Sequence, residues 1–170
     1  MILIVKEQQK QFLFEHIPHR INLLTTFRDR FYKKGDRMLL KPEAFRDLYR
    51  CSKDISILMV RFFCSEFGMC LPERENEITQ CKVHGAHYGA DKVNLVEIFP
   101  ISRKEDLKKV LFAANRALAH IHVDFVFHQV DSDVLVGIID LVEEWIISKI
   151  YKSPNLYADA MGHPNNRMYL

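Results

Sequence analysis

Apolar residues recur along this chain at helical rather than alternating spacing, and only six glycines and six prolines punctuate them. The pattern predicts an all-α fold, a helical bundle of about four main helices, with one long loop over 71–101 that has room for a short strand. The first helix is expected over about 8–33, with Pro18 as an interruption or restart and Gly35-Asp36 as its stop. Pro42 suits the first turn of a second helix running to about 67 or 70. Phe45, Leu48, Tyr49, Ile55, Met59, Phe62 and Phe63 form the expected apolar face of that helix.

The stretch that follows carries Pro72, Gly85, Gly89 and the charged run Glu73-Arg74-Glu75. Within it, 93–99 reads as a short strand or as a loop pinned on the core, and connections this long are often functional. Ser102 and Glu105 have capping-box spacing and announce a third helix over about 103–124. Its core stripe is Leu107, Val110, Leu111, Ala114, Leu118, Ile121 and Phe125. Asp131 or Ser132 caps a last helix over 133–151, where Val134, Ile138, Leu141, Val142 and Trp145 are flanked by Leu135, Ile139, Ile146 and Ile150. That apolar face is wider than a core stripe needs, which places the helix either centrally in the bundle or at a dimer interface. Residues 1–153 are read as a single helical bundle domain, and 154–170 as a loosely ordered C-terminal tail.

Composition narrows the function classes. A net charge of +2, from 24 basic and 22 acidic residues, excludes a protein that coats nucleic acid by bulk charge, although a local patch can still grip a few phosphates. The cluster Arg28, Arg30, Lys33, Lys34, Arg37 and Lys41 is such a patch or a solvated helix end, and Glu143-Glu144 reads as an exposed, solubilising pair. Cys51, Cys64, Cys70 and Cys81 match no disulfide framework and are read as free thiols. The apolar start of the chain is not built like a signal peptide, and the longest apolar runs are cut by Arg61 and by Asp140, Glu143 and Glu144. A cytoplasmic protein with no membrane attachment is expected.

The most specific local feature is Asn115-Arg116-Ala117-Leu118-Ala119-His120-Ile121-His122. On a helix Arg116 and His120 share a face about 40° wide, opposite the core stripe and beside the small Ala113 and Ala117. Arg neutralises a phosphate and its developing charge, and His, titrating near neutrality, moves a proton. Attack by a ribose 2′-hydroxyl on its adjacent phosphate needs no metal. The alternative is a solvated face, with His122 half-buried beside Asn115.

This stretch resembles the motif of HEPN domains, all-helical bundles with an Arg-x(4–6)-His signature. The resemblance implies a metal-independent ribonuclease that works as a homodimer, with two Arg/His pairs in one cleft, in a toxin–antitoxin or phage-defence setting. It implies RNA as substrate, no cofactor, and an antitoxin or other protein partner; Arg116 and His120 would be catalytic, with Asn115, His122, His84 and His87 in support. From Arg116, three residues intervene before His120 and five before His122. Aligning Ala119-His120 with the family's frequent Ala-His instead puts Asn115, which carries no charge, at the Arg position. The stretch is also similar to an Asn-Lys-x-x-Ala-His pattern in helical bacterial proteins of no established activity. The alternative is therefore a non-catalytic binding module of the same fold, directed at RNA, nucleotide or protein.

A second constellation, Cys81-x-x-His84-x-x-His87, offers ligand types that zinc accepts but lacks the second cysteine pair of a zinc signature. His84, His87, Tyr88 and Lys92 are alternatively a lid over the helix face carrying His120. No phosphate-binding glycine loop and no nucleophile elbow occur.

Overall fold

The computed structural model describes residues 2–33, 41–71, 77–98, 101–119 and 130–163, with the side chains of 2–5 and 117–119 excepted. Its architecture is an all-α bundle. The chain opens with α1 (Ile2–Gln11) and α2 (Ile17–Thr26), joined by a wide π turn, Phe12–His16, and followed by another, Phe27–Lys33. Pro18 does not break this run. It sits in the first turn of α2, where its missing N–H matters least, with the wider turn leading into it. Ile17, Ile21, Leu24 and Phe27 are buried along one stripe.

Helix α3 (Pro42–Glu66) starts at Pro42 as expected, and of its expected face Phe63 is buried and Tyr49, Met59 and Phe62 pack against the core, but the buried stripe is centred elsewhere. Ser52, Ser56, Ile57, Val60, Phe63 and Cys64 face inward, whereas Leu48 and Ile55 are 47% and 38% exposed. The reason is close packing against α2. The small Ser56 lets the helix backbones approach where a larger side chain would hold them apart, and its Oγ donates to the Leu23 carbonyl at 3.3 Å. Gly68, with φ of 77°, ends the helix in the left-handed conformation, and a β-carbon there would stand 2.9 Å from the Cys81 carbonyl oxygen.

A two-stranded antiparallel ladder follows, β1 (Met69–Cys70) with β2 (Thr79–Gln80), paired Met69 to Gln80 and Cys70 to Thr79. The strand within the long loop is therefore β2, paired back to the residues just before the loop, and there is none over 93–98. Of that segment, 93–98 is a pinned loop with a 3-10 turn over Leu95–Ile98; Val93 and Ile98 are buried, and Val93 N donates to the Phe67 carbonyl at 3.2 Å. Another 3-10 turn, His84–Tyr88, precedes it.

Helix α4 (Ile101–Ala119) begins one residue before Ser102, which lies inside its first turn, and buries Leu107, Val110, Leu111 and Ala114 as expected. The expected continuation to 124, including Ile121 and Phe125, lies outside the described residues. Helix α5 (Ser132–Trp145) passes into a π turn, Ile146–Tyr151. Asp131 is its N-cap: the carboxylate accepts from Asp133 N at 2.8 Å and Val134 N at 3.3 Å. α5 packs against α2, α3 and α4, and Leu135, Ile138, Ile139, Leu141, Val142 and Trp145 are buried within the chain. Its wide apolar face is thus explained by a central position.

The bundle does not end at 153. Ser153 caps α6 (Pro154–Met161), Ala160 is buried, and α6 packs on the two π turns Phe12–His16 and Ile146–Tyr151. The expectation of a loose tail from 154 is corrected as far as His163, because Leu156, Tyr157 and Met161 add to the core. Among the described residues no helix is long and apolar enough to cross a membrane.

Candidate functional site

The candidate site lies at the C-terminal end of α4. Arg116 is exposed in the last turn, where a cation suits the carbonyl end of the helix, and its guanidinium carbon lies 4.7 Å from the centroid of the Phe112 ring one turn earlier. Phe112 is itself 37% exposed, so the pair offers a charge and an aromatic face together. Asn115, half-buried, points the other way. Its Nδ2 donates to the Leu71 carbonyl at 2.8 Å and ties α4 to the strand leaving β1. His120 and His122 lie outside the described residues, and with them the geometry of the Arg116–His120 pair.

His84 and His87 stand on the 3-10 turn after β2, both exposed. His87 Nδ1 donates to the His84 carbonyl at 2.8 Å, which leaves Nε2 as the ring nitrogen available to a partner. The His87 ring meets the ring of Phe12 edge-on with centroids 5.3 Å apart, and Gln9 Nε2 donates to the His87 carbonyl at 3.4 Å. Tyr88 is buried, stacks on Phe12 at 5.0 Å, and gives its hydroxyl hydrogen bond to the Glu66 carboxylate at the end of α3. Burial, and then that hydrogen bond, hold the phenol protonated well above its ordinary range. The turn therefore leans on the Phe12–His16 turn and on α3 through Tyr88, which is not free to act in a lid; the helix face carrying His120, which the lid was expected to cover, lies outside the described residues. A side chain this deeply anchored is a rivet and not a flap. The Cys81, His84 and His87 triplet does not converge either: among the described residues no group of three His, Cys, Asp or Glu side chains is placed to hold a metal ion.

One polar centre was not anticipated. Arg28 is 7% exposed and is gripped by three carboxylates. Its Nε lies 2.8 Å from Asp29 Oδ1, and its Nη1 lies 2.7 Å from Asp140 Oδ1 and 2.5 Å from Glu143 Oε2. The other Glu143 oxygen accepts from the Tyr157 hydroxyl of α6. Burial works against the guanidinium charge, but the hydrogen bonds to Asp29, Glu143 and Asp140 outweigh it and hold the proton more tightly than water does. For Asp29, burial is likewise overcome by Arg28, and its carboxyl is held below the ordinary carboxylate range. Arg28 is thus withdrawn from the basic patch at 28–41, and Glu143 is a half-buried link between α5 and α6, while Glu144 alone is the exposed member of its pair. The signal was present in the sequence: Arg28 falls eleven residues after Ile17, on the Ile17, Ile21, Leu24 stripe, where a charged residue demands partners.

Compared with models of known protein families, with curated proteins and with solved structures, the chain matches none of them.

Proposed function

We propose that this chain is a HEPN-like, RNA-directed helical protein of the toxin–antitoxin or phage-defence type, acting as a metal-independent ribonuclease. The carrying observation is the exposed Arg116 guanidinium over Phe112 at the end of α4. Arg binds phosphate oxygens in a planar fork, and an aromatic face beside it suits an unstacked base. In this reading the RNA 2′-hydroxyl attacks the adjacent phosphorus. Arg116 neutralises the charge that develops on the phosphate, and His120 moves the proton between the attacking and leaving oxygens. Two copies bring two such pairs into one cleft. They meet through a face other than the apolar side of α5, which is covered inside the bundle.

One observation favours a second reading, a non-catalytic binding module of the same fold. Asn115 stands at the Arg position when Ala119-His120 is aligned with the motif, and its side chain is engaged by the Leu71 carbonyl. A residue held this way positions the helix and supplies no cation. RNA cleavage by purified protein in excess chelator separates the two. The ribonuclease reading expects cleavage that chelator does not touch and that Arg116→Ala and His120→Ala both lose. RNA retention without cleavage by the folded protein transfers the assignment to the binding module, and neither binding nor cleavage of RNA overturns both.

A further inference from the structure

We propose that Cys70 and Cys81 are a redox-active thiol pair, closed to a disulfide by a hydroperoxide and reopened by a small thiol. Cys70 pairs with Thr79 across the ladder. Side chains alternate along a strand, so Cys81, two residues beyond Thr79, lies on the same face as Cys70. The ladder continues past Gln80, with Cys81 N donating to the Gly68 carbonyl at 2.8 Å. This register sets the two thiols on one face of the ladder as diagonal neighbours. Cys70 Sγ also lies 3.3 Å from Thr79 Oγ1 and donates to the Thr79 carbonyl at 3.8 Å. Diagonal neighbours lie about 7–8 Å apart, just past disulfide reach, so closure requires the ladder, two residues per strand, to draw in by about an ångström.

Access separates this pair from Cys64, and its place beside a second thiol separates it from Cys51. Cys70 and Cys81 are half-buried, within reach of a small oxidant; Cys64 is fully buried beneath them, and Cys51 is exposed on α3. Thr79 Oγ1, 3.3 Å from Cys70 Sγ, is placed to donate to that sulfur as a thiolate, so Cys70 is the sulfur that reacts first, while burial and then the Cys70 thiol push Cys81 up to about 11. The Cys70 thiolate attacks the outer oxygen of the hydroperoxide, the O–O bond breaks, and an alcohol or water leaves with a proton. Cys70 is then a sulfenic acid. The Cys81 sulfur attacks it, the S–O bond breaks, and water leaves with the Cys81 proton. Two thiols have lost two electrons and two protons, and the peroxide has gained them. Two equivalents of a thiol such as glutathione reverse the change by exchange. Leu71, next in the chain to Cys70, gives the carbonyl that holds Asn115, so the closed pair stiffens the strand on which the end of α4 leans.

The test treats the reduced full chain with hydrogen peroxide, then alkylates it in denaturant and weighs it. Two of the four thiols are expected to escape alkylation, with the loss of two hydrogen atoms, no covalent dimer, and full recovery after dithiothreitol. Cys51→Ser behaves as the wild type, whereas Cys70→Ser and Cys81→Ser keep their three remaining thiols open to alkylation. A proteolytic map of the oxidised wild type, which depends on no variant folding, links the Cys70 and Cys81 peptides. Four alkylated thiols after peroxide, a Cys70–Cys64 link, or dimers lost in Cys51→Ser overturn the proposal.

Discussion

Replacing Arg28 with Met keeps most of the side-chain volume and removes the charge where the Phe27–Lys33 turn meets α5 and α6. Removing one member of a buried ion pair ordinarily costs about 3–5 kcal/mol, because the other is left charged and dry. Here the cost is smaller. The Asp29 and Asp140 side chains are 42% and 54% exposed and regain water when Arg28 leaves. Glu143, 20% exposed, is the carboxylate left stranded, and it still accepts from Tyr157. A loss of about 2–4 kcal/mol follows, which for a chain of this size is a fall in Tm of about 5–15 °C. Urea unfolding read by Trp145, the single tryptophan and 4% exposed, measures it. With a slope of about 2 kcal/mol/M the midpoint drops by roughly 1–2 M. In a Glu143→Gln background the same Arg28→Met change costs less, by about 1–2 kcal/mol, because the stranded charge is already gone. The pH dependence has a definite sign. The Asp29 carboxyl is depressed in the folded state, so its contribution is present above the ordinary carboxylate range and lost as pH falls through the folded value. The gap between wild type and Arg28→Met therefore narrows in acid. An equal loss in both backgrounds, or a variant within about 0.5 kcal/mol of wild type, would refute the ion-pair account.

Further expectations concern the caps, the rivet and the buried phenols. Asp131→Ala removes the acceptor for two backbone N–H groups at the start of α5 and costs about 1 kcal/mol, read as a lowered urea midpoint with unchanged slope. Gly85→Ala puts a β-carbon 2.7 Å from the Tyr88 hydroxyl and 2.8 Å from the Ala90 β-carbon; displacement of Tyr88 from Glu66 costs about 1–3 kcal/mol, and thermal unfolding no different from wild type would contradict it. Tyr88, Tyr151 and Tyr157 are all held protonated by burial, with Glu66 adding to the effect at Tyr88 and Glu143 at Tyr157. Their folded values lie above the unfolded one, so the stability they contribute is complete below about pH 10 and is lost as pH rises beyond it. Tyrosine absorbance should titrate later in the folded chain than in urea, and coincident curves would count against the buried hydroxyls.

The helices were legible because burial repeats at a helical period whatever the fold, and α4 and α5 bury the side chains their stripes announce. The first-turn position of Pro42 and the Asp131 cap are equally local: each depends on atoms within a few residues of itself. Where the reading of α3 missed, at Leu48 and Ile55, it weighed side-chain size and not the closeness of α2, which Ser56 permits. The expected tail failed for a related reason. Residues 154–161 are too few to hold a helix alone, and their apolar side chains acquire a face to pack on only once the two π turns have come together.

The candidate site divides along the same line. That Arg116 and His120 would share a helix face follows from their spacing alone, an expectation of the sequence, and His120 lies outside the described residues. That Asn115 reaches Leu71, that Tyr88 anchors the His84–Tyr88 turn on Glu66, and that Arg28 meets Asp140 and Glu143 across more than a hundred residues are properties of the fold. Hydrogen bonds and ion pairs form over a few ångströms, and which residues distant in the chain come that close is decided when the helices pack. The sequence by itself determined the helical elements, their core stripes and one polar motif; tertiary structure decided which polar side chains are partners and which remain on the surface.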